Sequence, residues 1–64
     1  MNRVMIVRPS EIRPGDLVSY NSHVYGVREV IRWRSEFHVF IQEGGFVEFM
    51  GYELVKLLRR TIDA

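Results

Sequence analysis

Two histidines, His23 and His38, are the only side chains in this 64-residue chain that ordinarily titrate near neutral pH. Glu36 precedes His38 by two residues, so on a strand the two share a face. Two ligands do not complete a metal site, and His23 has no partner at a ligating spacing. Exposed, structurally neutral histidines are the expectation, with no metal and no cofactor. No serine sits in a Gly-x-Ser-x-Gly turn beside a positioned base. The carboxylates are scattered singly, so no acid/base pair can be argued from spacing. Gly44-Gly45 joins two strand-like runs without a following helix or lysine, unlike a phosphate-cradling loop. These residues predict a protein that is not an enzyme.

Binding chemistry is better represented. Arg28, Arg32 and Arg34 alternate along one run, with Trp33 inside it and Phe37 just beyond. Guanidinium groups fork onto phosphates and aromatic rings stack on bases, so this set is a candidate nucleic-acid face. The competing reading puts Trp33 in the core and leaves the arginines to solubilise an exposed face, with Glu29 and Glu36 neutralising them. A second set, Phe40, Phe46, Met50 and Leu58, falls on the parity opposite the presumed core and makes a candidate apolar patch. Such patches mark protein contacts or self-association. A register shifted by one residue would turn the set inward. An N-terminal strand, Val4 to Val7, could also cover it.

Composition bounds these readings. Nine basic and eight acidic residues leave a net charge of +1, short of the strongly basic balance of a nucleic-acid binder. All but one of the basic residues are arginine, the side chain suited to bidentate and stacked contacts. The charge favours a protein partner, or a second copy of the chain, over RNA or DNA. There is no cysteine, so neither a disulfide nor a thiolate metal site can staple this small domain. No apolar run is long enough to span a membrane, and Val4-Met5-Ile6-Val7 is too short for a signal-peptide core. The expected setting is the cytoplasm, without membrane association.

The elements that must position these residues are short strands. Pro9, Pro14-Gly15, Asn21-Ser22, Arg34-Ser35, Gly44-Gly45 and Gly51 punctuate the chain at the spacing of an all-β sandwich or barrel. The runs between them predict strands over Arg3 to Val7, Leu17 to Tyr20, Val24 to Arg34, Phe37 to Gln42, Phe46 to Met50 and Val55 to Arg60. Ser10-Glu11-Ile12 and Gly51-Tyr52-Glu53-Leu54 each predict one turn, the second helical. In the long run, Tyr25, Val27, Ile31 and Trp33 share one parity and the arginines the other. Glu29 and Val30 break the alternation, which a bulge would repair. The glycine pair predicts a two-residue hairpin turn. Leu54, Leu57 and Leu58 also have helical spacing, so a C-terminal helix over 52–62 competes with the last strand. The expected core is Leu17, Val18, Val27, Ile31, Val39, Ile41, Val47, Phe49, Leu54 and Leu57. One domain spans 1–64, with an N-terminal strand or arm over 1–11 and a frayed tail at 61–64.

Pro14-Gly15-Asp16-Leu17-Val18, Tyr25-Gly26-Val27, Gly44-Gly45 and Tyr52-Glu53-Leu54-Val55, in this order, resemble the SH3-like small β-barrels, including KOW and Tudor-type modules. The likeness covers Ile12 to Arg59. It implies a five-stranded barrel with one helical turn before the last strand, here with room for an additional N-terminal strand. It also implies a binding module, since members bind RNA, DNA, ribosomes, peptides or modified tails. The layout is also similar to the short plasmid-borne, trimethoprim-resistant dihydrofolate reductases. Their Val-Gln-Ile-Tyr segment falls at Val47-Glu48-Phe49-Met50, where only the valine matches, so the activity does not carry over. The resulting expectation is a non-catalytic protein-interaction or regulatory module, with an arginine/aromatic nucleic-acid barrel as the alternative. Partner contact is expected through Arg28, Arg32, Trp33, Arg34, Phe37, Phe40, Phe46 and Leu58.

Overall fold

The computed structural model of the protein describes residues 2–60. They form six antiparallel strands: β1 (Asn2–Val7), β2 (Leu17–Tyr20), β3 (His23–Trp33), β4 (Glu36–Ile41), β5 (Phe46–Met50) and β6 (Val55–Arg60). The spatial order is β1-β6-β2-β3-β4-β5. The fold is therefore all-β, with the N-terminal run supplying a sixth strand beside β6. A single 3-10 turn, Pro9–Glu11, is the only helical element among the described residues. No helix there is long and apolar enough to cross a membrane. The segment that could have been a C-terminal helix is β6, paired with β1 along its length and with β2 near its middle. The tail expected at 61–64 lies outside the described residues.

Strand β3 is long enough to serve two halves of the sheet. Its first part pairs with β2 and its second with β4. Val7, Val18, Val27, Val55 and Leu57 from one half meet Val39 and Phe49 from the other, and Ile12 closes the end. Alternation along each strand aims these residues one way and their neighbours outward. It also explains two corrections. Leu17 and Val18 are consecutive, so only one can face the core, and Val18 does while Leu17 is half-buried. Leu54 precedes β6 and is 66% exposed, leaving Val55 and Leu57 as the inward pair. Val47 packs against the core while remaining half-buried.

A bulge in β3 causes the largest correction. Val27 pairs with Ile41 but Glu29 pairs with Phe40, so Arg28 is an extra residue with no partner on β4. An inserted residue inverts the phase of everything after it. Val30 consequently packs on the core, while Ile31, expected there, points outward at 44% exposure.

Turn chemistry follows the sequence with two departures. Asn21 and Ser22 carry φ of 48° and 65°, the paired positive values of a tight two-residue hairpin. Gly44 and Gly45 also have positive φ, 106° and 79°, yet they end a four-residue connection, Gln42 to Gly45, between β4 and β5. The Gly44 N–H donates to the Ile41 carbonyl, and the Ile41 N–H to that of Gly45. Gly51 to Leu54 is not a helical turn. A single Glu53 N–H bond to the Met50 carbonyl makes it a β-turn, with Glu53 Oε2 accepting from the Met50 N–H.

Asp16, in the Pro14-Gly15-Asp16 turn, is only 3% exposed and clamps three segments together. Its carboxylate accepts from the Arg13 N–H at 2.8 Å and from Arg59 Nε and Nη2 at 2.9 Å each. Arg59 Nη2 also donates to the Glu11 carbonyl. Burial raises the pKa of this carboxyl. The hydrogen bonds from Arg59 and Arg13 and their charges outweigh it, so the net direction is below the ordinary carboxylate value. The same pairing raises that of Arg59.

Candidate functional site

The outer face of β3, β4 and β5 is the most chemically varied surface of the described residues. Cross-strand pairing lays it out in three rows. Glu29, Phe40 and Phe46 form one; Ile31, His38 and Glu48 the next; Trp33, Glu36 and Met50 the third. Two turns create this register. The Arg34-Ser35 turn sets Trp33 against Glu36 and thereby fixes the β3–β4 pairs. The four-residue connection sets Phe40 against Phe46 and fixes the β4–β5 pairs. Trp33 and Phe46 are 59% and 51% exposed. Phe40, Phe46 and His38 cluster in the first two rows, with Trp33 apart in the third. Phe40 and Phe46 are tilted against each other at 5.4 Å, and the His38 imidazole stacks on Phe46 at 4.8 Å with planes 28° apart.

His38 occupies the centre of the grid. Glu48 stands directly opposite it on β5, and Glu36 is its same-face neighbour on β4. Its Nε2 lies 3.3 Å from Glu48 Oε2 and 3.5 Å from Glu36 Oε2. That atom is shielded from solvent, yet it makes no hydrogen bond. One ligand atom from each of the three side chains lies within 4.8 Å of the others. From sequence, Glu36 and His38 make an incomplete pair. The third group, Glu48, arrives from β5 through strand pairing.

The arginines expected to share one wet face are separated. Arg28 is the extra residue of the bulge. Arg32 follows it in the phase of the core, with its guanidinium 5.8 Å above the Phe37 ring and its Nε donating to the Arg34 carbonyl. Arg34 lies in the turn with φ of 60° and places its guanidinium 5.7 Å from the Trp33 ring. Phe37, expected at the surface near the hairpin tip, is 9% exposed and pairs with Phe49 on the inner face. The same phase inversion that exposes Ile31 also frees Trp33 from the core parity it was expected to share with Val27.

Phe40 and Phe46 do share the outer face, with Met50, as expected. Leu58 does not join them. It lies on the outer face of β6, opposite Val4 of β1 and Leu17 of β2. There Val4, Leu17, Val24, Lys56 and Leu58 line a shallow groove of about 230 Å³. Strand β1 thus extends the apolar surface around Leu58 instead of covering the Phe40–Phe46 patch.

No protein-family model matches the chain, and no curated protein or solved structure matches it.

Proposed function

We propose that this chain is a non-catalytic protein-interaction module. It docks its partner on the outer face of β3, β4 and β5. The observation that carries this reading is the grid itself: Ile31, Trp33, Phe40, Phe46 and Met50 interleaved with Glu29, Glu36 and Glu48. Large aromatic anchors within a polar surround are the composition of a binding patch, and Trp is the side chain most enriched among energetically dominant contacts. The three carboxylates select the partner's charge. They favour a protein surface or segment that presents apolar side chains flanked by Lys or Arg. They disfavour the same face of a second copy, which would set carboxylates against carboxylates, and they repel phosphates.

The all-β strand order β6-β2-β3-β4-β5, with β1 added at the outside, is compatible with the SH3-like resemblance, which would imply a role in binding. The cysteine-free chain suits the cytoplasm, where we place it.

Trp33 is the only tryptophan, so its fluorescence reports directly on this face. Titration with a peptide of alternating Leu and Lys should shift its emission to the blue. A matched Leu/Glu peptide and a single-stranded oligonucleotide should leave it unchanged. Replacing Phe46 with serine should remove the response. Tight oligonucleotide binding that weakens steeply with salt would instead establish the arginine/aromatic alternative. Silence toward the Leu/Lys peptide would dismiss the docking face.

A further inference from the structure

We propose that Glu36, His38 and Glu48 form a binding site for a borderline divalent transition-metal cation of the Zn²⁺ class. The inference does not depend on the docking reading and concerns the centre of the grid alone. Three observations converge on it.

The donor set is the first. One imidazole nitrogen and two carboxylates are ligands for Zn²⁺, whereas hard cations such as Ca²⁺ and Mg²⁺ prefer oxygen throughout. Spacing is the second. With bonds of about 2.0–2.2 Å and tetrahedral angles, neighbouring ligand atoms stand roughly 3.3–3.5 Å apart. His38 Nε2 lies 3.3 Å and 3.5 Å from the two carboxylate oxygens, two edges at this spacing, and all three ligand atoms lie within 4.8 Å of one another. The third is the state of Nε2. It is shielded from solvent and donates to neither oxygen, although both are near. A cation held between Nε2 and the two carboxylate oxygens would give this shielded nitrogen a partner.

The scaffold holds the ligands in place. Glu36 and His38 are fixed to one face of β4 by the strand's two-residue period. Glu48 is set opposite His38 by β4–β5 pairing. Stacking on Phe46 restrains the ring plane. Three protein ligands leave a fourth position open to water or to a donor from a bound molecule, the arrangement of an open zinc site. Neither His23 nor any other carboxylate is needed.

Isothermal titration of the full chain with ZnCl₂ tests the site. The expected result is saturable binding of one ion per chain. Addition of Zn²⁺ should move the His38 imidazole resonances in the manner of Nε2 coordination, and excess chelator should reverse the change. Glu48→Gln and His38→Gln should each weaken binding by roughly tenfold or more, while His23→Gln should not alter it. Chemical shifts of the metal-free variants verify their fold, and the imidazole signal of the unsubstituted protein keeps the test valid if a variant unfolds. Millimolar Ca²⁺ or Mg²⁺ should not compete. No saturable binding, full affinity retained by His38→Gln, loss of affinity in His23→Gln, or equal competition by Ca²⁺ would each overturn the assignment.

Discussion

Replacing Asp16 with asparagine isolates the clamp that ties the first turn to β6. The carboxylate accepts three hydrogen bonds, one from the Arg13 backbone and two from the Arg59 guanidinium. An asparagine oxygen can keep the Arg13 N–H and Arg59 Nη2, which share Oδ2, but its amide nitrogen then faces Arg59 Nε, donor against donor. The substitution therefore loses one charge-assisted hydrogen bond, worth about 1.5–3 kcal/mol, and leaves a guanidinium without its counter-charge. Removing one partner of a fully buried pair costs about 3–5 kcal/mol. The Arg59 side chain is 24% exposed and recovers part of that from water. The expected loss is about 2–3 kcal/mol, which for a domain of this size lowers Tm by roughly 10–20 °C. Urea denaturation followed by circular dichroism would measure it, with an unchanged m-value showing that the same surface unfolds. The pH profile supplies a second readout. The Asp16 pKa is depressed in the folded state, so its stabilisation is complete above the unfolded-state value and is lost as pH falls through the folded-state value. The gap between the parent and Asp16→Asn should thus be full near neutral pH and narrow below about pH 4. A loss under about 0.5 kcal/mol, or a gap that does not change with acid, would refute the assignment of the clamp to charge-assisted bonding.

Other substitutions probe the strand phases. Leu57→Ala removes a fully buried side chain and should cost about 2–5 kcal/mol, whereas Leu58→Ala, its outward neighbour, should cost under about 1 kcal/mol; equal losses in chemical denaturation would contradict the β6 register. Ser22→Gly relieves a side chain held at φ of 65° and should raise stability by about 0.5–1 kcal/mol, read as a higher melting temperature. Trp33→Ala should leave the urea midpoint nearly unchanged, because this large ring contributes little to the core; a loss above about 2 kcal/mol would show that it is buried.

Local chemistry made much of this architecture legible. Val55 to Arg60 is the strand that the need for a closing edge implies, despite the helical spacing of Leu54, Leu57 and Leu58, and Asn21-Ser22 turns the chain where two short polar residues tolerate positive φ. The break at Glu29-Val30 also marks an irregular strand from sequence alone. Its consequence is harder to read, because alternation shows that a residue is extra without showing which side of the break keeps the core phase. That choice belongs to β4, whose inward set of Phe37, Val39 and Ile41 must meet an inward set on β3. Once Val39 pairs with Val30, Ile31 and Trp33 must face out, and the arginines cannot line that face with them.

The same dependence on pairing explains the central cluster. Glu36 and His38 lie close in sequence, but Glu48 reaches them only because the connection after β4 has four residues instead of two. Keeping the β4 side fixed while the turn shortens by one residue would move β5 by one position and turn Glu48 toward the core. Burial of that carboxylate opposes such a slip, as does exposure of Phe49, whose inward position the actual register preserves. Hydrophobic burial on the inner face and the ligand geometry on the outer face are thus set by one register. A change to the Gln42–Gly45 connection should disturb both together, while changes to Glu36 or Glu48 alone should alter the outer chemistry and spare the fold.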